Sequence, residues 1–517
     1  MNNKLYGNLI FELSRPGRRA YSLPKNRFAH HELPAGLRRE QDAELPECDE
    51  MTVVRHYTNH SENNFGVLNG FYPLGSCTMK YNPKINEEIA GMKGFLGLHP
   101  LQPASTVQGA LEVYYNMDKA LAAITGMSHF TFNPCAGAHG ELTGLMIMRQ
   151  YHILNGDLKR TKVIVPDSAH GTNPASAAVC GLEVVVVKSK ADGLVDVNDL
   201  KPLLGDDIAG IMMTNPNTLG LFEKDIEEIA ALIHGCGGLL YYDGANMNPL
   251  IGVARPGDMG FDILHLNLHK SFSTPHGGGG PGSGPVGVCE KLVPYLPVPK
   301  VVKDEYGQFK VRGRAGVGKS DENKNADGCE KTAGEVSGFL GNFGVILRAY
   351  AYILSLGREN VKLVGKYATL GANYIKESLK EYYKLPIPTV CKHEFVYDGL
   401  VNDGARKAAD GTVEREGATT LDVAKRLLDF GFHAPTIYFP LLFHQAIMIE
   451  PTETESIETL DAFIEVMKKI AIEAAEDPAI LKSAPHNAPI TRPMELAEIQ
   501  RPALVPFFRI ATESPDN

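Results

Sequence analysis

Residues 238–270 read GLLYYDGANMNPLIGVARPGDMGFDILHLNLHK, and this stretch decides the fold. Gly238–Tyr242 is a short apolar run that stops at Asp243, and Ile263–Leu268 is a second that stops at His269 and Lys270. Neither run alternates cleanly between apolar and polar residues, which is the pattern of strands covered on both faces. Working back along the chain, Val163–Val165 ends at Pro166 and Asp167, Val184–Val187 is another run, and Ile208–Met213 ends at Thr214, Asn215 and Pro216. Helical stretches such as Glu223–His234 lie between them. Strand, polar turn and helix in repetition predict an α/β fold with a mostly parallel sheet and helices on both faces. In such sheets ligands bind beyond the carboxyl ends of the strands. His170, Asp243 and Lys270 all follow such ends.

Those three residues carry the chemistry. An ammonium is costly to bury without a partner, and desolvation makes a lysine a usable amine nucleophile. Lys270 fits that description; it also fits a lysine that has just emerged into solvent. Asp243 is placed to keep a proton on the ring nitrogen of pyridoxal phosphate (PLP), so that the ring can accept electrons. It fits equally an N-cap before Gly244. His170, in PDSAHGTNPASA (Pro166–Ala177), can stack on the cofactor ring or bond within its own turn. NPCAGAHGE (Asn133–Glu141) is a small-residue turn entering an apolar helix. The backbone N–H groups of Ala136, Gly137 and Ala138 could there take a phosphate, although many turns enter helices this way. Thr214 and His269 are further candidates for contact with the cofactor, while His265 reads as a core or loop histidine. The order His170, Asp243, Lys270 on successive strand ends is far more specific than any one of them.

Two other strings are decoys. GRAGVGKS (Gly313–Ser320) matches the P-loop pattern, but DENKNADG follows it where an apolar helix is required. His265, His269 and His276 are dense in histidine, yet the one carboxylate near them in sequence, Asp262, is at the far end of the same strand, and no metal site is expected.

Composition sets outer bounds. The chain has 517 residues, 44% hydrophobic and 22% charged, which predicts two or three globular domains. A formal net charge of −10 argues against a nucleic-acid or anionic-membrane surface. The 8 cysteines include no C-x-x-C pair and fit reduced thiols. The opening MNNKLYGNLIFELSRPGRR has no apolar core for a signal peptide, and no long apolar run follows, so a cytoplasmic protein is expected.

Residues 1 to about 70 are polar and weakly periodic, and read as an extended arm anchored by Phe11, Leu13, Tyr21 and Leu23. Residues 303–331 and 398–419 read as surface insertions. Gly341–Leu356 is an apolar helical stretch. Near the C-terminus a helix is predicted with Thr420 as N-cap, Leu421, Ala424 and Leu428 on one face, and Gly431 as its stop. With the apolar run Ile437–Phe443 it makes a smaller α+β domain. The divisions are 1–95 for the arm, 96–345 for the large domain and 346–517 for the C-terminal domain.

Several strings resemble the P-protein family of the glycine cleavage system: FYPLGSCTMKYNP (Phe71–Pro83), HPLQP (His99–Pro103), PDSAHGTNPASA, DGANMN (Asp243–Asn248), NLHKSFSTPHGGGGPGSGPVGV (Asn267–Val288), GFHAPTIYFP (Gly431–Pro440), IEPTETES (Ile449–Ser456) and SAPHN (Ser483–Asn487). The resemblance covers nearly the whole chain and is similar to subunit 2 of the split form. It implies a PLP-dependent transferase-like fold of type I, with a mostly parallel sheet of seven strands and a smaller α+β C-terminal domain. It implies PLP carried on Lys270, Asp243 against the pyridine nitrogen and His170 stacked on the ring. The reaction it implies is decarboxylation of glycine, with the aminomethyl group passing to the lipoyl arm of the H-protein. It also implies pairing with subunit 1, in a heterotetramer of two subunit types. The turn GSCTMK (Gly75–Lys80) is a candidate wall of the lipoyl channel, or a structural loop. Another PLP enzyme acting on an amino acid, or a PLP-binding subunit with a structural role, stays open at this point.

Overall fold

The computed structural model describes residues 8–20, 24, 27–29, 31–41, 43, 45–277, 282–313, 331–488 and 492. The chain forms two compact units, Met1–Gly70 and Phe71–Asn517. In the first, a helix spans Glu50–Glu62, and the Asp49 side chain caps it by accepting the Thr52 N–H. The expectation of a purely extended arm therefore missed a helix of 13 residues. Its apolar residues are too sparse for a 3.6-residue stripe, so pattern alone passes over it. Of the four anchors, Leu13 is buried and Phe11 is exposed, whereas Tyr21 and Leu23 lie outside the described residues.

The second unit is built on a seven-stranded sheet. Its strands are β1 His129–Thr131, β2 Lys162–Pro166, β3 Glu183–Val187, β4 Ile208–Thr214, β5 Leu239–Gly244, β6 Ile263–Leu266 and β7 Val286–Val288. Their spatial order is β1-β7-β6-β5-β4-β2-β3. Only β7 runs against its neighbours. The central strand β4 is buried at every position, which is why it reads as an unbroken apolar run. The edge strand β3 is partly exposed, although its sequence, EVVVV, looks no less apolar. The strands β1 and β7 have three residues each and were not legible as strands in the sequence.

The predicted strand Ile263–Leu268 is shorter than expected. β6 ends at Leu266, and Leu268–Ser271 forms a single helical turn that carries Lys270. The helix Gly137–Leu154 lies against the sheet so closely that a Cβ on Gly144 would fall 2.2 Å from the Tyr241 ring. The long helix Phe343–Leu379 is broken at Gly357, whose φ of 65° only glycine adopts freely. That break falls one residue past the predicted stretch Gly341–Leu356.

The smaller sheet is antiparallel and joins Phe395–Asp398, Ala446–Ile449 and Thr436–Ile437, with Ala446–Ile449 in the middle. The run Ile437–Phe443, expected to supply this layer, gives it one strand residue only. The C-terminal helix Thr420–Asp429 begins one residue earlier than predicted, with Thr419 and Asp422 forming a reciprocal capping box. Its buried face is Thr420, Val423, Ala424 and Leu427, not Leu421 and Leu428. Part of the predicted insertion 303–331 is a hairpin, Lys300–Lys303 with Phe309–Arg312, and a second hairpin, Arg406–Lys407 with Val413–Arg415, sits in the segment 398–419. The P-loop-like string lies, past Gly313, outside the described residues. Among the described residues the cysteines are free, and no helix is long and apolar enough to cross a membrane.

Candidate active site

The sheet register sets Thr214 beside Asp243, and Asp243 beside His265, in one row at the carboxyl ends of β4, β5 and β6. Asp243 is 2% exposed. Its carboxylate accepts from Asn173 Nδ2 at 2.9 Å and from the Ala245 N–H at 2.9 Å. His265 Nε2 stands 3.3 Å away. A His265 ring with its proton on Nε2 donates to Asp243 and accepts at Nδ1 from the Tyr241 hydroxyl, 2.9 Å distant. Burial alone would push the Asp243 carboxyl up. His265, the Asn173 amide, the Ala245 N–H and Lys270 together outweigh it and hold the group below the usual carboxylate range. The site is therefore built to keep an anion ionised in a dry place. Asp243 also accepts the Ala245 N–H of the turn that follows β5.

Asn173 arrives on the helix Thr172–Val179, which is tied down by Glu141: its carboxylate accepts from Thr172 Oγ1 at 2.9 Å and from Ser176 Oγ at 3.0 Å. His170 precedes that helix and is exposed, with Nδ1 3.0 Å from Thr172 Oγ1 and its ring 5.4 Å from Phe439. Lys270 is half-buried, and its Nζ donates to the Ser76 carbonyl at 2.7 Å. The Gly75–Lys80 turn, read from the sequence as a channel wall or a structural loop, thus lies directly on this lysine.

Ala136 is the N-cap of the helix Gly137–Leu154 and makes no side-chain cap bond, which leaves the first N–H groups of that helix without a helical acceptor. A Cβ on Gly137 would come within 2.6 Å of Asn267 Oδ1. Glycine is thus required by the Asn267 side chain on the turn that leads to Lys270. Asn342 Nδ2 ties the same region together, donating to the carbonyls of Cys135 and Gly282.

His269 accepts the Ser283 N–H at Nδ1, 3.4 Å away, and its ring meets His276 edge-on at 5.2 Å. Burial, His276 and Lys270 press His269 down to about 3, and burial and Lys270 press His276 to about 4, so both rings are neutral at pH 7. Buried polar atoms without a partner among the described residues gather in this stretch: Ser271 Oγ, Thr274 Oγ1, His276 Nε2 and Ser283 Oγ. The unpaired Ser283 hydroxyl, beside the Gly284 that packs on Ala136 at the uncapped helix start, suits a phosphate, and an ionised Asp243 suits a protonated ring nitrogen. The residues present fit PLP.

Sequence reading missed His265 as a partner of Asp243, and missed Asn173, Lys80, Glu394, Glu450 and Glu453 altogether. For Glu394 and Glu450 one signal was available: each lies flush against a four-residue apolar strand, Phe395–Asp398 and Ala446–Ile449.

A six-plus-one sheet with a lysine turn after β6 and an acidic residue closing β5 is the architecture of fold-type-I PLP-dependent enzymes. Solved structures agree at the level of fold. A glycine decarboxylase (P-protein) of the glycine cleavage system in inhibitor-bound form superposes with a TM-score of 0.67 at 21% identity, covering 85% of this chain and 93% of that one. Lactobacillus brevis glutamate decarboxylase superposes with a TM-score of 0.60 at 15% identity, covering 88% and 96%. A family model described as the glycine cleavage system P-protein matches residues 24–308, and one described as the glycine dehydrogenase C-terminal domain matches residues 364–488. The chain is 54% identical over 505 residues, 97% of its length and 99% of the relative's, to the probable glycine dehydrogenase (decarboxylating) subunit 2 of Caldanaerobacter subterraneus subsp. tengcongensis. The protein of the same name from Alkaliphilus oremlandii is also 54% identical, over 98% of this chain and 99% of its own length. The chain belongs to the glycine cleavage system P-protein family, and it is an enzyme of the glycine dehydrogenase (decarboxylating) type.

Proposed function

We propose that this chain, as subunit 2, decarboxylates glycine with PLP held on Lys270, and passes the aminomethyl group to the lipoyl arm of the H-protein. The observation that carries the reading is the buried, ionised Asp243 one strand away from the turn that presents Lys270. PLP, when bound, supplies a sink for the electron pair left on the α-carbon as CO2 departs. Asp243 keeps the proton on the ring nitrogen, and His265 and Asn173 keep Asp243 charged. Lys270 Nζ is the point of attachment, and once the glycine amine takes its place it is free to hold a proton against the Ser76 carbonyl. The N–H groups of Ala136, Gly137 and Ala138, with neutral His269, take the phosphate, while Thr214 and His170 line the ring. In the transfer a carbon–carbon bond breaks and a carbon–sulfur bond forms. The disulfide of the oxidised lipoyl arm opens and takes up the two electrons.

The same reading assigns residues 1–95 to an arm, 96–345 to the PLP-binding domain and 346–517 to the C-terminal domain. It places the protein in the cytoplasm, in a heterotetramer with subunit 1. Borohydride reduction of the loaded protein followed by peptide mapping should put the label on Lys270; a label on another lysine removes the assignment. Glycine–bicarbonate exchange should need both subunit 1 and the H-protein. Full exchange by this chain with the H-protein alone would overturn the split-enzyme reading and leave the cofactor assignment standing.

Gly137→Val tests the phosphate site. The new side chain meets Asn267 at less than contact distance, so the start of the helix must move. PLP affinity should fall by about tenfold or more, equivalent to ~1.4 kcal/mol or beyond. Unchanged affinity in equilibrium titration would mean that the phosphate sits elsewhere.

A further inference from the structure

The turn that touches Lys270 is held in an unusual shape by two glutamates from the C-terminal part of the chain. Ser76 and Thr78 both have positive φ, 64° and 46°, a conformation that non-glycine residues keep only where their surroundings impose it. Glu394 and Glu450 impose it here. The Ser76 N–H donates to Glu394 Oε2 at 2.7 Å. Thr78 donates its N–H to Glu450 Oε2 at 2.9 Å and its hydroxyl to Glu450 Oε1 at 2.6 Å. Both glutamates are 0% exposed. Asn246 Nδ2, three residues beyond Asp243, donates to Glu394 Oε1 at 3.0 Å. The turn has no slack at its start either, because a Cβ on Gly75 would lie 2.2 Å from Met448 Cγ.

Charge points the same way. The ionisable groups facing the pair are Lys270, Lys80, Cys77 and His393. Lys80 is taken by Glu453, burial raises the Cys77 thiol, and burial presses His393 down to about 3. Two buried carboxyl groups therefore face one cation without a salt bridge of its own among the described residues, Lys270, which Asp243 also draws on. Burial and the neighbouring Glu450 raise Glu394, and burial raises Glu450 to about 7, so the pair gives up part of its charge near neutrality instead of burying two anions against one ammonium.

We propose that Glu394 and Glu450 are positioning residues for Lys270: they hold the Ser76–Thr78 turn in its left-handed form, and the turn's Ser76 carbonyl fixes the Lys270 ammonium at the strand ends. The proposal rests on Lys270 as the reactive lysine, but its test does not need the cofactor.

In the cofactor-free protein, the rate of Lys270 acetylation by acetic anhydride at pH 8 is read by peptide mass spectrometry against exposed Lys224. Glu394→Gln and Glu450→Gln keep the size, remove the charge the pair retains at pH 8 and leave one accepting oxygen where there were two, and each should raise the relative rate about tenfold, since an ammonium held by a charge-supported contact is protected from acylation. Thr78→Val removes only the hydroxyl donor and should raise it several-fold, while Thr78→Ser keeps the donor and should restore the original rate. Circular dichroism reports whether each variant is folded. If a glutamine variant fails to fold, the Thr78 pair decides. Rates within twofold of the parent protein in every folded variant of Glu394, Glu450 and Thr78→Val would overturn the proposal. A borohydride label that misses Lys270 would instead remove the cofactor reading and leave these rates interpretable.

Discussion

Asp243→Asn should abolish nearly all glycine–bicarbonate exchange, a fall of about 10³ or more if as little as ~4 kcal/mol of charge stabilisation is lost. The variant keeps the shape of the side chain and removes both the charge and one acceptor. Asp243 accepts from two donors, the Asn173 amide and the Ala245 N–H, with His265 close by. An asparagine offers one oxygen and one NH2, so either the Asn173 amide turns to present its unpaired Oδ1 or one of those donors faces another donor in a buried place, at a further cost of about 1–3 kcal/mol. The loss should therefore appear twice, as reduced exchange and as a lower melting temperature. Exchange within tenfold of the parent protein, with the lower melting temperature, would mean that Asp243 serves the fold as a cap and not the chemistry.

Lys80→Met should cost stability on the scale of about 3–5 kcal/mol, the usual result of stranding one partner of a buried ion pair. Lys80 is 2% exposed. Its Nζ donates to Glu453 Oε1 at 2.6 Å, Asn248 Oδ1 at 2.8 Å and the Ser271 carbonyl at 3.0 Å. Glu453 also accepts from Tyr352 Oη at 3.0 Å and from Asn248 Nδ2 at 3.1 Å. One ion pair thus joins the Gly75–Lys80 turn, the loop after β5, the Lys270 turn, the long helix and the segment after Ala446–Ile449. Methionine fills the same space but leaves the Glu453 carboxylate without its cation. Replacing both residues, as Lys80→Met with Glu453→Leu, should recover much of the loss, and the double variant's loss minus the losses of the two single variants gives the coupling. Denaturant titration is the readout. A loss below about 1 kcal/mol would place this pair with weak, solvent-screened surface pairs.

Asp243 was visible in the sequence because a strand-end carboxylate is announced by the apolar run just before it. The same local logic picked out Lys270, the unbroken runs of the inner strands and the apolar opening of the long helix, but not its break at Gly357. Strand burial on both faces and the chemistry of strand ends are written within about ten residues of the chain.

Elements without such a local signature were lost. The strands β1 and β7 are too short to show a period. The face of Thr420–Asp429 was misassigned because Leu421 and Leu428 are as apolar as the residues that are buried, and only the packing partner decides which side turns inward. The helix Glu50–Glu62 carries only four apolar residues, Met51, Val53, Val54 and Tyr57, too few to announce a buried face.

The candidate site divides in the same way. His170, Asp243 and Lys270 could be named from sequence, since each follows its own strand. His265 could not be joined to Asp243 before the register of β5 and β6 was known. The partners of Lys80, Glu394, Glu450 and Glu453 were out of reach, because each acts on a group separated from it by more than a hundred residues; the strands beside Glu394 and Glu450 mark their positions but not what they hold. The sequence by itself determined the inner strands of the sheet and singled out Lys270 and Asp243 at their ends. Tertiary structure alone decided what keeps that carboxylate ionised and what holds the lysine in place, because hydrogen bonding and charge in a dry interior depend on which distant groups the fold brings together.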